Sequence, residues 1–330
     1  MTEQESSPTR APQSLTEATE LEIPAANAGE RLDSVLAQLI PDFSRSRLQT
    51  MLKQKLILVD DAPATRSQRV LGGERVVAWL IPREPTQWSA QPLSLDRVFE
   101  DDDVLVLNKP ASLVVHPGAG NQSGTLANAV LAAYPQSANL PRCGIVHRLD
   151  KDTTGLMVVA KTELAHRVLI DQLSSRTVKR EYLALIRGVP TGGGIVHEPI
   201  DRHPRDRKRM HVQARGKMAV THYRIEKRFN GYTLLRVSLE TGRTHQIRVH
   251  MQHIGLPLVG DPVYGGRPRP VAGTAPELID AVREFGRQAL HAQRLSFVHP
   301  RSGEPVENQC APPADMAAIL DFLQRHATAQ

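Results

Sequence analysis

Nine residues, His147 to Gly155, constrain this chain more than any others. Seven of the nine are polar or charged. An apolar pair, Ile145-Val146, leads in, and Leu156-Met157-Val158-Val159-Ala160 reads as a buried strand leading out. Strands that bracket a polar loop fix its ends, and catalytic groups concentrate on loops held in that way. Asp150 stands between Arg148 and Lys151, so the loop offers one carboxylate flanked by two cations. The plain alternative is a charged surface turn, and the rest of the chain decides between the two.

A length of 330 residues allows two domains. No apolar run approaches the ~20 residues needed to span a bilayer, so no membrane association is expected. The N-terminus lacks the basic start and apolar core of a secretory signal. Two cysteines, Cys143 and Cys310, make no disulfide framework and point to a reducing cytoplasm. No Cys-x-x-Cys pair or nucleotide-binding glycine motif is present, so neither a metal nor a cofactor is expected.

The net charge of +6 is unevenly placed. Residues 1–30 hold six acids and one base, a balance of −5, so the other 300 residues carry +11. Residues 201–228 alone hold ten bases and three acids. A basic folded body suits a polyanion, and Lys and Arg contacts to phosphate dominate nucleic-acid affinity. Arg202 to Lys217, which includes Arg205, Arg207, Lys208 and Arg209, is expected to be a loop that clamps phosphates.

Residues 1–20 are rich in Ser, Thr, Pro and Glu and read as a disordered acidic tail. Leu32, Val35, Leu36, Leu39 and Ile40 have helical spacing, ended by Pro41. Ser44 can cap a second helix carrying Leu48, Met51 and Leu52, with Arg45, Arg47 and Lys53 around it. Leu56–Val59 and Glu74–Trp79 read as strands, with turns at Asp60-Asp61 and Gly72-Gly73. Residues 81–92 hold three prolines and read as a linker. Beyond them, Val98–Glu100 and Val104–Leu107 read as a hairpin. Thr125 onward reads as a helix, Thr162 as a helix cap, Val178–Ile186 as a strand, and Pro313–Arg325 as a helix. Gly231–Val249 contains two strand-like parts, the second of them on the approach to Gly242–Met251.

Three stretches carry a resemblance. HRLDKDTTGLMVVAKT, KREYLALIRG and GRTHQIRVHM are similar to motifs of the RluA/RluC/RluD family of RNA pseudouridine synthases. NKPASLVVHPGAG and LVGDPVYGGRPRP extend the likeness. RLDSVLAQ, SRSRLQTML and LGGERVV resemble an S4 RNA-binding domain. The resemblance implies an α+β chain. A small S4-like domain (21–80) would be followed by a catalytic domain (93–330) on a mixed, mostly antiparallel sheet with flanking helices.

It further implies that Asp150 acts on the ribose, as nucleophile at C1′ or base at C2′. Arg248 would pair with Asp150, with Arg243 as runner-up. Tyr182 would stack on the uracil and assist loss of the C5 proton. Arg148 would fill the place of the flipped base, and His147 and Arg243 would contact RNA, as would Arg45, Arg47 and Lys53. The substrate implied is large-subunit rRNA in pre-ribosomal or assembled 50S particles, acted on by a monomer. The D type of the family is favoured, with a target stem-loop near the decoding centre, over the C type. Two other readings stay open: an RNA-binding assembly protein with incidental catalysis, and a glycosidase using Asp150 and Asp152.

Overall fold

A computed structural model describes residues 18–41, 43, 45–80, 88–118, 120–206, 209–266 and 276–326. Most of the acidic tail, the Ser44 cap, most of the expected linker, Arg207, Lys208 and the RPRP end of the Gly/Pro loop lie outside these residues. The chain divides into two compact units, Met1–Glu84 and Pro85–Gln330.

The first unit orders β1 (Thr19–Glu22), α1 (Leu32–Leu39), α2 (Arg45–Lys53), β2 (Ile57–Val59), β3 (Ala62–Pro63) and β4 (Arg75–Ala78). Its sheet runs β1-β4-β2-β3, all antiparallel. Leu32, Val35, Leu36, Leu48 and Met51 are buried on the helices, as their spacing predicts. Thr19 and Glu20, expected in the tail, instead pair with Ala78 and Val77. Backbone pairing to β4 supplies the order that their composition does not. Asp60 and Asp61 both adopt left-handed backbone, φ 47° and 60°, as a tight hairpin turn demands. Arg75 binds both carboxylates, its backbone N–H reaching Asp60 and its guanidinium Asp61.

The second unit opens with β5 (Arg97–Glu100), β6 (Val104–Lys109), α3 (Leu126–Ala133), β7 (Thr154–Ala160), α4 (Glu163–Ser174) and β8 (Lys179–Arg187). Then come β9 (Gly194–His197), β10 (Ile200–Arg202), β11 (Met210–Val212), β12 (Val220–Phe229) and β13 (Tyr232–Leu239). It closes with α5 (Gln246–His253), α6 (Pro276–Phe285), β14 (Leu290–Val298), β15 (Pro305–Gln309) and α7 (Ala314–His326). The main sheet is ordered β5-β6-β7-β14-β8-β13-β12-β9, with β15 on β14. Only β7–β14 is parallel, so the sheet is mixed and mostly antiparallel.

Successive residues of a strand face opposite sides, and both sides are covered here. Leu105 and Leu107 of β6, Met157 and Val159 of β7, and Tyr182, Ala184 and Ile186 of β8 join α3, Ile247 and Met251 in one core. On the other face Val104, Val106, Leu156 and Val158 pack against Leu169 of α4, and Leu183 and Leu185 against α7. Coverage on both faces explains why these strands read as unbroken apolar runs rather than alternating ones.

Three expectations change. Ile145 makes only an isolated bridge to Val159, so no strand leads into the central loop. Instead Arg142, Cys143 and Gly144 are consecutively left-handed, with φ 52°, 52° and 79°. The expected phosphate-clamping loop contains a two-stranded ribbon, β10–β11. The stretch Gly231–Val249, expected to hold strand-like parts, ends in a helix from Gln246, whose Ile247, Val249, His250 and Met251 are buried. Among the described residues no helix is long and apolar enough to cross a membrane.

Candidate active site

The loop before β7 is fastened at every step. Thr153 N–H donates to the Asp150 carbonyl at 3.1 Å. Lys109, fully buried, donates through Nζ to the carbonyls of Pro110, Leu113 and Lys151 at 2.7, 2.9 and 2.8 Å. Burial draws Lys109 down to about 7, with Asp152 and Asp150 pulling it back up. The three carbonyls match the three N–H bonds of an ammonium. Arg287 donates to the Asp152 carbonyl, and Gln288 to the Thr153 hydroxyl. Gly155 must be glycine: its φ is +113°, and a Cβ would lie 2.2 Å from the Ala292 carbonyl of β14.

So held, Asp150 lines a cavity of about 530 Å³, within the ordinary size for a small-molecule site. Arg248 Nη1 donates to Asp150 Oδ2 at 2.9 Å. The same guanidinium grips buried Asp261 with two bonds, Nε to Oδ2 at 2.7 Å and Nη2 to Oδ1 at 3.0 Å. Asp261 Oδ1 also accepts the backbone N–H of Val263 and Tyr264. Burial works against the Arg248 charge, but Asp261 and Asp150 outweigh it and hold the group above its ordinary range. Arg243, the runner-up, is exposed and donates to the Met218 carbonyl instead.

His245, left-handed at φ 56°, caps the start of α5. Its Nε2 stands 3.9 Å from Asp150 Oδ1. Its Nδ1 is 2.8 Å from the Tyr264 hydroxyl, which accepts the Met210 N–H at 2.8 Å. The Tyr264 hydroxyl thus bridges the Met210 N–H and the His245 ring. Arg248 and Arg209 lie 5.0 and 5.5 Å from the Tyr264 ring centre. The basic ribbon is thus tied to the site through Tyr264.

Tyr182 shares the cavity-facing side of β8 and lines the cavity. Burial and the nearby Asp150 charge raise its pKa, against the pull of Arg180. The phenol form therefore prevails at neutral pH. His147 lines the cavity and is anchored to β7, where Val158 N–H donates to its Nε2 at 3.1 Å. Burial, then Arg180 and His116, push it down to about 3. Arg148 is exposed and lines the cavity.

Other expected residues are not among those lining this cavity. Arg205 is exposed in the connection between β10 and β11. Arg45 is ion-paired to buried Asp33 at 2.9 Å, Arg47 is half-buried, and Lys53 is exposed. Asp261, Tyr264 and Lys109 were not singled out from sequence as site residues, although each falls in a stretch that carries the resemblance.

A carboxylate fixed by a buried arginine thus lines an arginine-rich cavity. Residues 103–253 match the family model described as RNA pseudouridylate synthase. The chain belongs to that family. Among its relatives, ribosomal large subunit pseudouridine synthase D of Salmonella typhimurium is 53% identical over 297 residues, 90% of this chain and 91% of that one. The protein of the same name from Pasteurella multocida is 51% identical over 304 residues, covering 92% and 94%. A solved structure, human RNA pseudouridylate synthase domain containing 4, aligns over 69% of this chain and 93% of its own, with 25% identity and TM-score 0.54.

Proposed function

We propose that this chain isomerises uridines of large-subunit rRNA to pseudouridine, as a D-type synthase. One observation carries the site assignment: among the described residues, Asp150 is the only carboxylate lining a cavity that also presents five arginines. The names of its relatives, at half identity over nine-tenths of the chain, support the rRNA substrate. The D-type likeness points to one stem-loop near the decoding centre, in pre-ribosomal or assembled 50S particles, in the cytoplasm and by a monomer.

The reaction breaks the C1′–N1 bond, turns the ring, joins C1′ to C5 and moves the C5 proton to N1. The target must first leave its stack, as bases do when enzymes act on them. Arg148, exposed at the cavity, enters the vacated space. Tyr182 then stacks on the uracil as a phenol. Asp150 acts on the ribose, by attack on C1′ or by taking the C2′ proton. Arg248 holds its Oδ2 and leaves Oδ1 towards the cavity. Slowed turnover of C2′-deuterated substrate selects proton removal, and unchanged turnover selects attack.

The first unit serves as an S4-like RNA-binding domain over residues 21–80, with Arg45, Arg47 and Lys53 towards RNA. Pseudouridine mapping of large-subunit rRNA incubated with wild type and Asp150→Asn tests the whole reading. Conversion by wild type alone supports it, and the converted positions distinguish D-type from C-type targets. Binding without conversion in any assembly state favours the RNA-binding assembly role instead.

A further inference from the structure

Of the five arginines lining the cavity, Arg248 is satisfied by two carboxylates. Arg180 is the opposite case. It is 8% exposed, yet its guanidinium makes no ion pair or hydrogen bond to a described residue, and its Nε is wholly unpartnered. Buried arginines are rarely left so, because an unpaired buried charge is costly.

Its placement is built. Arg180 sits two residues before Tyr182 on β8, and strand periodicity puts both on the cavity side. The guanidinium lies against Gly242, where a Cβ would come within 3.0 Å of Nη1. A second unpartnered donor lies beside it. His147 Nε2 accepts from Val158, so the ring hydrogen is on Nδ1, and Nδ1 has no partner. Arg180 is near enough for its charge to act on that ring. Two orphaned donors, one cationic, face a cavity whose single carboxylate is held by Arg248.

We propose that Arg180 is a phosphate-binding residue: it takes the phosphodiester flanking the target uridine once the base enters the cavity, with His147 Nδ1–H as a second donor. The alternative acceptors, the uracil carbonyls, are neutral and would leave the guanidinium charge uncompensated. A phosphate supplies both charge and several acceptor oxygens. Fixing the sugar-phosphate there would orient C1′ towards Asp150. The inference rests on the synthase reading and deepens it.

The test is a charge swap on both partners. A stem-loop containing a mapped target uridine is made with a neutral methylphosphonate at its 5′ or its 3′ phosphate. Affinity is measured with full-length Asp150→Asn protein, with and without Arg180→Met or Arg180→Lys. With Arg180 present, one of the two methylphosphonates should weaken binding about ten- to a hundredfold, the range of a hydrogen bond to a charged group. With Arg180→Met the same substitution should cost almost nothing, and Arg180→Lys should fall between. The melting temperature of Arg180→Met should equal or exceed that of the parent, since an unpaired buried charge has been removed. Equal methylphosphonate losses with and without Arg180, at both positions, overturn the proposal. So does a fall in melting temperature that accounts for the loss of binding. Failure of wild type to convert any uridine defeats the synthase reading instead, and is read separately from the coupling.

Discussion

Arg248 meets Asp261 with two parallel hydrogen bonds, 2.7 and 3.0 Å, and offers its remaining nitrogen to Asp150. Asp261 is in turn held by two backbone N–H groups. The planar fork of arginine makes this three-point geometry possible, and lysine has no equivalent. Arg248→Lys should therefore fold but lose at least about a hundredfold in kcat, the scale of a misplaced catalytic group. Asp261→Asn keeps an oxygen for Val263 and Tyr264 while removing the charge. It should lower kcat about tenfold or more with KM little changed, because it acts through Arg248 alone. A KM rise with normal kcat in Asp261→Asn would show that the pair binds substrate rather than placing Asp150.

Tyr264 joins the basic ribbon to His245 through one hydroxyl. Tyr264→Phe leaves the Met210 N–H and His245 Nδ1 without that partner. An unsatisfied buried group costs about 1–3 kcal/mol, so the melting temperature should fall. Turnover should fall further than stability explains, because His245 faces Asp150 across 3.9 Å. Steady-state kinetics well below the variant's melting temperature separate the two effects. Full turnover there would remove His245 and Tyr264 from the site.

Much of this was legible in the chain and some was not. The Leu156–Ala160 strand, the Leu32–Ile40 helix and the Thr162 cap follow from local periodicity and capping chemistry, which act over a few residues. Asp150 and Arg248 were reached through long motifs. Asp261 was not, because nothing local marks it: its partner is 13 residues away and its burial comes from packing. α5 was not marked as a helix in the chain, because Ile247, Val249, His250 and Met251 are buried by tertiary packing rather than laid out as one apolar stripe. Arg180 looked like one more basic residue of a strand, and only the absence of a partner distinguishes it.

His147 and His116 are held neutral by burial, at about 3 and about 4. Their unfolded values lie near ~6.5. Between those limits the unfolded chain binds more protons, so stability rises with pH and falls as acid is added. Each ring contributes about 1.4 kcal/mol per pH unit in that window. His245, His250 and His291 are lowered by burial in the same sense. Melting temperatures should change little through these rings above pH 7 and drop steeply towards pH 5. His147→Gln, which can still accept the Val158 N–H, should flatten the slope by about one proton. An acid slope identical to wild type would mean that His147 is not held neutral.

Lys109 offers the sharpest test of how the loop is built. Its three carbonyl acceptors come from Pro110, Leu113 and Lys151, so one ammonium ties the segment after β6 to the residue following Asp150. Lys109→Met fills the space but leaves three carbonyls without their donor, each costing about 1–3 kcal/mol. The variant should be several kcal/mol less stable by urea titration. Below its transition it should still turn over poorly, because Lys151 is free to shift Asp150 away from Arg248. Arg287 and Gln288 remain as anchors at Asp152 and Thr153, so β7 itself should stay in place. Hydrogen exchange should then show faster opening confined to residues 150–153, with β7 still protected. Uniform loss of protection across β7 and β14 would instead make Lys109 a support of the whole sheet rather than of the loop.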